Sequence, residues 1–307
     1  MICFLSGGTG TPKLVEGFRK IILDEEITII ANTADDVERY GLYISPDVDT
    51  ILYLFANILD KDKFWGIKED TFSTFESLQT FDPSTWFKLG DKDLALHLYR
   101  TERLKLGYSL FDITKDLCEK LNVKAQILPC TANHIETRII TGINQDIHFQ
   151  DYWVKNKGNI EIKDTYIKNI ENALIPDEVI EALDKASQII IGPSNPITSI
   201  GPIIALPKIR KALTKYRDKC CAISPIIGQS AISGPTNALM YCKGLNPTPF
   251  DIAKLYKDFI STFIIDNQDQ SYIHKIQSEL NVHVVLADII FKDTQDATNL
   301  ANFLLKR

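Results

Sequence analysis

The sequence predicts an α/β fold: a mostly parallel sheet with helices on both faces and a largely helical insertion. Three observations carry that prediction. Apolar runs too short for core helices recur along the 307 residues. Each of the clearest runs passes into a loop of Gly, Ser, Asn, Pro or Asp. Stretches with apolar residues at helical spacing separate them. Strands buried on both faces read as continuous apolar runs, and helices between them supply the crossovers that parallel pairing needs.

Residues 2–5 form the first run and lead directly into SGGTGTPKLVEG. Ser6, Gly7, Gly8, Thr9 and Gly10 make a loop with almost no side chains. Pro12 marks a helix start, where its missing N–H costs nothing. The second run, 27–31, ends in NTADD, and SPDVDT precedes a helix expected over 51–59. Residues 61–125 read as mostly helical, with apolar spacing clearest over 94–106 and 110–121. Residues 126–185 mix shorter strands near 127–128, 139–141 and 147–149. The α/β rhythm then returns. Strand 188–191 runs into GPSNP, strand 220–224 into PIIG, and strand 282–286 precedes a closing helix from about Asp293. No repeat, low-complexity stretch or linker interrupts the chain. The expectation is one domain over 1–307 with an insertion at about 61–185.

Hydrophobic residues make up 45% of the chain, enough for a sizeable core. The net charge of -6 argues against general nucleic-acid binding, which needs a basic surface, but leaves room for a locally positive anion site. No apolar run reaches membrane-spanning length. The chain opens into a strand with no basic segment or cleavage site ahead of it, so the expected setting is the cytoplasm. None of the six cysteines forms CxxC, so free core thiols are expected rather than zinc or disulfides.

Open parallel sheets bind ligands at the carboxyl ends of their strands. Four loops occupy that position: SGGTGTPK, Asn32–Thr33–Ala34–Asp35–Asp36, Gly192–Pro193–Ser194–Asn195–Pro196, and Ser224 to Gly228 leading into Ser233–Gly234–Pro235. Glycine lets a backbone approach an anion, and N–H groups at a helix start favour negative charge. The first loop therefore nominates phosphate. It is neither GxGxxG nor a Walker loop, and by itself it reads equally as a tight strand-to-helix turn. Four such loops at strand ends point to a built site. Asp35 and Asp36 follow one strand, and Asp47 and Asp49 precede a helix. Carboxylates beside a phosphate loop repel the ligand unless a hard cation such as magnesium bridges them. Their other reading is turn formation and helix capping.

The segment KLGDKDLALHLYRTERLKLG carries Lys88, Asp93, His97 and Arg100, the last three on one helical face. Its cations either meet a diphosphate or make ordinary ion pairs on a solvated face. Trp65, Phe72, Phe75, Trp86 and Phe87 either wall a flat aromatic ligand or pack the insertion, and packing is favoured for most of them.

Together these blocks resemble the 2-phospho-L-lactate transferase family of coenzyme F420 biosynthesis. The matching segments are SGGTGTPKLVEG, NTADD, GLYISPDVDTILY, KLGDKDLALHLYRTERLKLG, ILPC, IGPSNPITSIGPI and SPIIGQSAISGP, in the expected order over residues 2 to about 240. The resemblance implies a Rossmann-like core, a homodimer and a magnesium-dependent transfer. The acceptor it implies is the deazaflavin alcohol Fo (7,8-didemethyl-8-hydroxy-5-deazariboflavin). The implied donor is lactyl-2-diphospho-5'-guanosine or its enolpyruvyl relative, and the products are coenzyme F420-0, or its dehydro form, and GMP. It implies Asp36 and Asp49 as magnesium ligands, amides of Gly7, Gly8, Thr9 and Gly10 around phosphate oxygens, and Gly192, Ser194 and Asn195 on the guanosine side. Asp49 and Lys88 stand at positions the family associates with Fo. Asp49 thus has two possible roles, metal ligand or orienter of the attacking hydroxyl. The chain departs from the family pattern at Cys130, where many members carry Met, and at Asn237, where a lysine is usual.

Two other readings compete. A related family with a similar glycine-rich start binds nucleotide-sugar diphosphates for regulation without turnover; the pairing of SPDVDT with KLGDKDLALH favours the transferases. A dinucleotide-dependent oxidoreductase is disfavoured because the first loop is not GxGxxG and the second strand ends in Asn32 rather than an acid suited to ribose.

Overall fold

The computed structural model describes residues 1–232 and 234–306. Ser233 of the fourth predicted loop lies outside the described residues. In chain order the elements begin with β1 (Ile2–Ser6), α1 (Gly10–Phe18), β2 (Ile27–Ala31), the hairpin β3 (Val37–Arg39) and β4 (Leu42–Ile44), and α2 (Pro46–Phe55). There follow α3 (Ser73–Phe81), α4 (Asp91–Lys105), α5 (Leu110–Lys120), β5 (Gln126–Pro129), β6 (Glu136–Thr141), β7 (Asp146–His148) and β8 (Ile162–Lys168). The chain continues through α6 (Asp177–Lys185), β9 (Gln188–Ile191), α7 (Gly201–Ala205), α8 (Pro207–Lys215), β10 (Cys220–Ile223), the two-residue strands β11 (Ile226–Ile227) and β12 (Ser230–Ala231), and α9 (Thr236–Cys242). It closes with α10 (Pro249–Tyr256), β13 (Thr262–Asp266), α11 (Ile273–Leu280), β14 (His283–Ala287) and α12 (Thr294–Leu305).

Seven strands form one sheet in the order β14-β13-β10-β9-β1-β2-β5. Every neighbouring pair in it is parallel. Alternate residues of β1 feed two cores. Cys3 and Leu5 pack with Leu183, Ile203 and Leu213 from α6, α7 and α8 on one face. Ile2 and Phe4 pack with Leu14, Phe18, Leu52 and Leu300 from α1, α2 and α12 on the other. Both faces are covered, which is why these strands are apolar throughout. The strand order also reverses between β1 and β9. From β1 the chain grows through β2 to β5 on one side, and from β9 through β10 and β13 to β14 on the other. The loops leaving β1 and β9 therefore diverge and leave a crevice, the position where open parallel sheets bind ligands.

The stretch 61–185 holds helices α3, α4 and α5, the sheet's edge strand β5, and an antiparallel sheet ordered β7-β6-β8. That small sheet and a π-helical turn at Asp151–Lys155 close over their own core of Ile139, Phe149, Tyr152 and Leu239. Two expectations shift. Helix α2 starts at Pro46 rather than after SPDVDT, with proline in its first turn, so Asp47 and Asp49 lie inside the helix. Strand β13, unmarked in the sequence reading, lies inside the sheet between β10 and the edge strand β14. All six cysteines are free, five of them buried.

Candidate functional site

A cavity of about 750 Å³ opens at the crevice. One part of its wall is the strand-end loops, through Gly8, Thr9, Gly10, Ser194, Asn195, Thr198 and Ser199. Another is acidic, with Asp35, Asp47 and Asp49. The third comes from the 61–185 stretch and includes Trp65, Trp86, Phe87, Lys88, Trp153 and Lys157.

The loops after β1 and β9 are interlocked. The Ser194 Oγ accepts the Thr11 N–H at 3.0 Å and shares a 2.8 Å hydrogen bond with the Thr11 hydroxyl. A Cβ on Gly10 would stand 2.1 Å from the Pro193 carbonyl oxygen, and one on Gly192 would stand 2.1 Å from Thr11 Oγ1. These two glycines are thus demanded by loop-on-loop packing, whether or not an anion approaches. The Gly8 N–H donates to Asp47 Oδ1 at 2.7 Å, and the Thr11 N–H is spent on Ser194. The amides of Thr9 and Gly10, at the start of α1, are left at the wall without an acceptor in the helix. Asn195 is locked from one side: its Oδ1 accepts from the Ile197 and Thr198 N–H groups, while its Nδ2 has no partner among the described residues.

The carboxylates differ in how far they are committed. Asp36 and Asp49 are committed to protein donors. Asp36 accepts from the Tyr43 hydroxyl at 2.8 Å and the Ser45 hydroxyl at 2.7 Å, is fully buried, and does not reach the cavity wall. Burial pushes its carboxyl well above the ordinary range, against the pull of those two hydroxyls. Asp49 does reach the wall, but both of its oxygens accept from the guanidinium of Arg100. Asp35 is the least committed, and Asp47, with one donor on each oxygen as Asp36 has, differs from Asp36 in reaching the cavity wall. The Asp35 Oδ1 is buried with no hydrogen-bond partner among the described residues, and burial plus the neighbouring Asp47 charge push its carboxyl up, against the pull of Thr137 and Asn32. Asp47 accepts one bond from Gly8 and one, at 2.8 Å, from Asn32 Nδ2, and burial raises its carboxyl to about 6. Two buried carboxylates resisting ionisation, one with a bare oxygen, are suited to a shared hard cation. Among the described residues no three His, Cys, Asp or Glu side chains converge as a complete cage.

Most of the five aromatics pack: Phe87 is buried in a cluster with Val37, Leu42, Ile44 and Leu89, and Trp86 packs against it. Trp65, Trp86 and Phe87 also present a surface to the cavity wall. Phe75 is buried in the insertion, and Phe72 lies under Lys88, whose Nζ is 3.8 Å from the ring centroid. Trp86 meets Phe87 edge to face at 5.4 Å and has the Arg39 guanidinium 5.2 Å and the Lys155 ammonium 5.7 Å from its ring. The helical face of Asp93, His97 and Arg100 is buried rather than solvated; Asp93 and His97 reach the cavity wall, and Arg100, 0% exposed, does not.

Of the residues singled out from the sequence, Gly8, Thr9, Gly10, Asp35, Asp47, Asp49, Lys88, Asp93, His97, Ser194, Asn195, Gly234 and Pro235 share this one cavity. Gly7, Asp36 and Gly192 stand behind it. The sequence reading missed Trp153, Lys157 and the role of Asp35. For Asp35 the signal was present as the first acid of NTADD; for the other two there was none. Asn237, at the departure from the family's lysine, accepts the Ala231 N–H and donates to the Gln229 carbonyl, so it pins the loop that carries β11 and β12.

The sequence matches, over residues 2–301, the family model described as 2-phospho-L-lactate transferase CofD. The 2-phospho-L-lactate transferase of Methanosarcina mazei is 41% identical over 308 residues, which cover 100% of this chain and 99% of that protein. The enzyme of the same name from Methanocaldococcus jannaschii is 38% identical, covering 100% and 97%. A solved structure, a UPF0052-family protein from Bacillus halodurans, superposes with a TM-score of 0.65 at 16% identity, covering 99% of this chain and 98% of that one. The last similarity shows the shared fold.

Proposed function

The chain belongs to the 2-phospho-L-lactate transferase CofD family, and from that premise we propose that it moves the phospholactyl or phosphoenolpyruvyl group from a guanosine diphosphate-linked donor to Fo. The products are then coenzyme F420-0, or its dehydro form, and GMP. One observation carries the reading: a single cavity joins a phosphate-suited loop rim to an aromatic rim. A donor with a diphosphate and an acceptor with a flat fused ring need both.

The reaction forms a bond from the terminal ribityl oxygen of Fo to the phosphorus bearing the three-carbon unit, and breaks the bridging P–O bond to GMP. Little covalent chemistry falls to the protein; alignment and charge neutralisation dominate. The Thr9 and Gly10 amides at the start of α1 cradle phosphate oxygens. Gly7, Gly8 and Gly192 shape that cradle by letting the two loops approach. Ser194 and the free Nδ2 of Asn195 hold the guanosine side. Asp49 accepts a hydrogen bond from the attacking hydroxyl and fixes its direction, and Lys88 supports the acceptor. Magnesium, when bound, supplies the positive charge that lets a diphosphate sit among carboxylates. The unpartnered Asp35 oxygen supports Asp35 and Asp47 as its holders ahead of the Asp36 and Asp49 pair read from the sequence. A homodimer and a cytoplasmic setting belong to the same reading. Among the described residues no helix is long and apolar enough to cross a membrane.

The test is a transfer assay with purified protein, magnesium, Fo and synthetic lactyl- or enolpyruvyl-diphosphoguanosine, following both products by mass-resolved chromatography. Magnesium-dependent formation of GMP and the deazaflavin product is expected, with relative rates ranking the donors. Tight nucleotide binding without product would move the protein to the regulatory reading.

A further inference from the structure

We propose that Arg100 is a positioning residue that acts through Asp49, holding that carboxylate as a fixed acceptor for the attacking hydroxyl; the inference rests on the transferase reading above. Asp93, His97 and Arg100 fall on one face of α4, and that face is buried. Arg100 is 0% exposed and forms no part of the cavity wall, so it reaches no ligand directly. Its fork closes on Asp49 across 51 residues of sequence, with Nη1 2.9 Å from Oδ2 and Nη2 bonded to Oδ1. A two-pronged guanidinium–carboxylate pair fixes the plane of the carboxylate as well as its place. Asp49 lies in the first turn of α2 and does line the cavity.

The guanidinium is itself held by residues that, unlike it, reach the cavity wall: His97, Asp93 and Tyr53. The His97 Nδ1 accepts from Arg100 Nη1 at 3.3 Å, and the His97 Nε2 stands at ion-pair distance, 3.1 Å, from Asp93 Oδ1 without completing a hydrogen bond to it. Tyr53, one turn beyond Asp49 on α2, donates its hydroxyl to that same Asp93 oxygen. The chain Asp49–Arg100–His97–Asp93–Tyr53 thus runs from α2 to α4 and back. A fully buried ion pair is a poor investment for stability alone, because desolvation offsets its attraction. Here it serves a carboxylate that must sit beside a diphosphate. Arg100 balances the Asp49 charge, and it engages both oxygens while leaving each a lone pair. Asp49 then orients a hydroxyl without repelling the donor and without swinging toward a cation. Lysine at this position retains the charge but loses the fork.

The experiment is a double-mutant cycle on transfer, with kcat and both KM values measured for the parent, Arg100→Lys, Asp49→Asn and the double variant, alongside thermal melting. If Arg100 acts through Asp49, Arg100→Lys lowers kcat about 30-fold, a loss of the size that misalignment costs, with both KM values nearly unmoved. In the Asp49→Asn background the same change lowers kcat by less than about twofold. Losses that multiply across the cycle, or a loss confined to melting temperature, overturn the proposal. Should Arg100→Lys fail to fold, Arg100→Gln, which keeps an N–H donor but loses the charge and the fork, is read in the same way, and its kcat loss must likewise vanish on Asp49→Asn. A parent that transfers nothing overturns the transferase reading and this inference with it, whereas an active parent with multiplicative losses overturns this inference alone.

Discussion

The two rims of the cavity are built by opposite means. The strand-end rim is backbone on backbone. Strands β1 and β9 lie side by side in register, Leu5 against Ile191, and the loops leaving them interlock so closely that Gly10 and Gly192 have no room for a methyl group. The other rim is side chain on side chain, assembled from segments near residues 65, 86 and 153. It is tied by the Arg39–Asp151 ion pair at 2.7 Å and by two cations over Trp86. A rim of the first kind is rigid and suits a small, highly charged group that needs fixed amides. A rim of the second kind can give locally and suits a broad aromatic surface. The carboxylates between the two rims also differ: Asp49 is clasped on both oxygens by Arg100, while Asp35 keeps a buried oxygen without a hydrogen-bond partner among the described residues.

Four substitutions sharpen or break this contrast. The largest effect is expected at Asp49→Ala, which strands the buried Arg100 charge. It should cost about 3–5 kcal/mol in chemical denaturation and lower transfer at least about 1000-fold. A stable, active variant would show that the locked carboxylates do not matter.

Next is Asp47→Asn, read against pH without divalent cation. Burial raises the Asp47 carboxyl to about 6 in the folded protein, well above its unfolded value of about 3.9. The stability that accompanies its protonated form is therefore present below about pH 4 and lost as pH rises through about 6. The parent should lose about 3 kcal/mol over that window that the Asn variant retains. Parallel stability curves would remove Asp47 from the pair suited to a shared cation.

Gly10→Ala should cost about 1–3 kcal/mol through overpacking against Pro193. Its kinetic damage should fall on the donor KM. Trp86→Ala should do the reverse, raising the acceptor KM about tenfold, or about 1.4 kcal/mol, with the donor KM unchanged. If either variant moves the other substrate's KM instead, the division of the rims is wrong.

The same contrast governs what could be read from the sequence. The strand-end rim was legible because its information is local. An apolar run followed by SGGTG or GPSNP specifies strand and turn within a dozen residues. The aromatic rim was not, because Trp65, Trp86 and Trp153 converge only through tertiary packing, and nothing near them distinguishes a wall from a core. Strand β13 escaped because residues 252–266 run from helix to strand without a Gly or Pro to divide them. The choice between Asp35 and Asp36 was equally hidden. The β3–β4 hairpin brings Tyr43 and Ser45 back to Asp36 and leaves its neighbour bare. Arg100 was placed on the correct helical face, but its burial depends on α2, half a hundred residues earlier.

The most direct measurement is a crystal structure with magnesium, Fo and a methylene-bridged donor that cannot be cleaved. The account predicts the deazaflavin ring against Trp86 and Trp153, the diphosphate on the Thr9 and Gly10 amides, and the ribityl hydroxyl on an Asp49 still clasped by Arg100. A ring seated on the strand-end loops, or an Asp49 released from Arg100 to hold the metal, would contradict it.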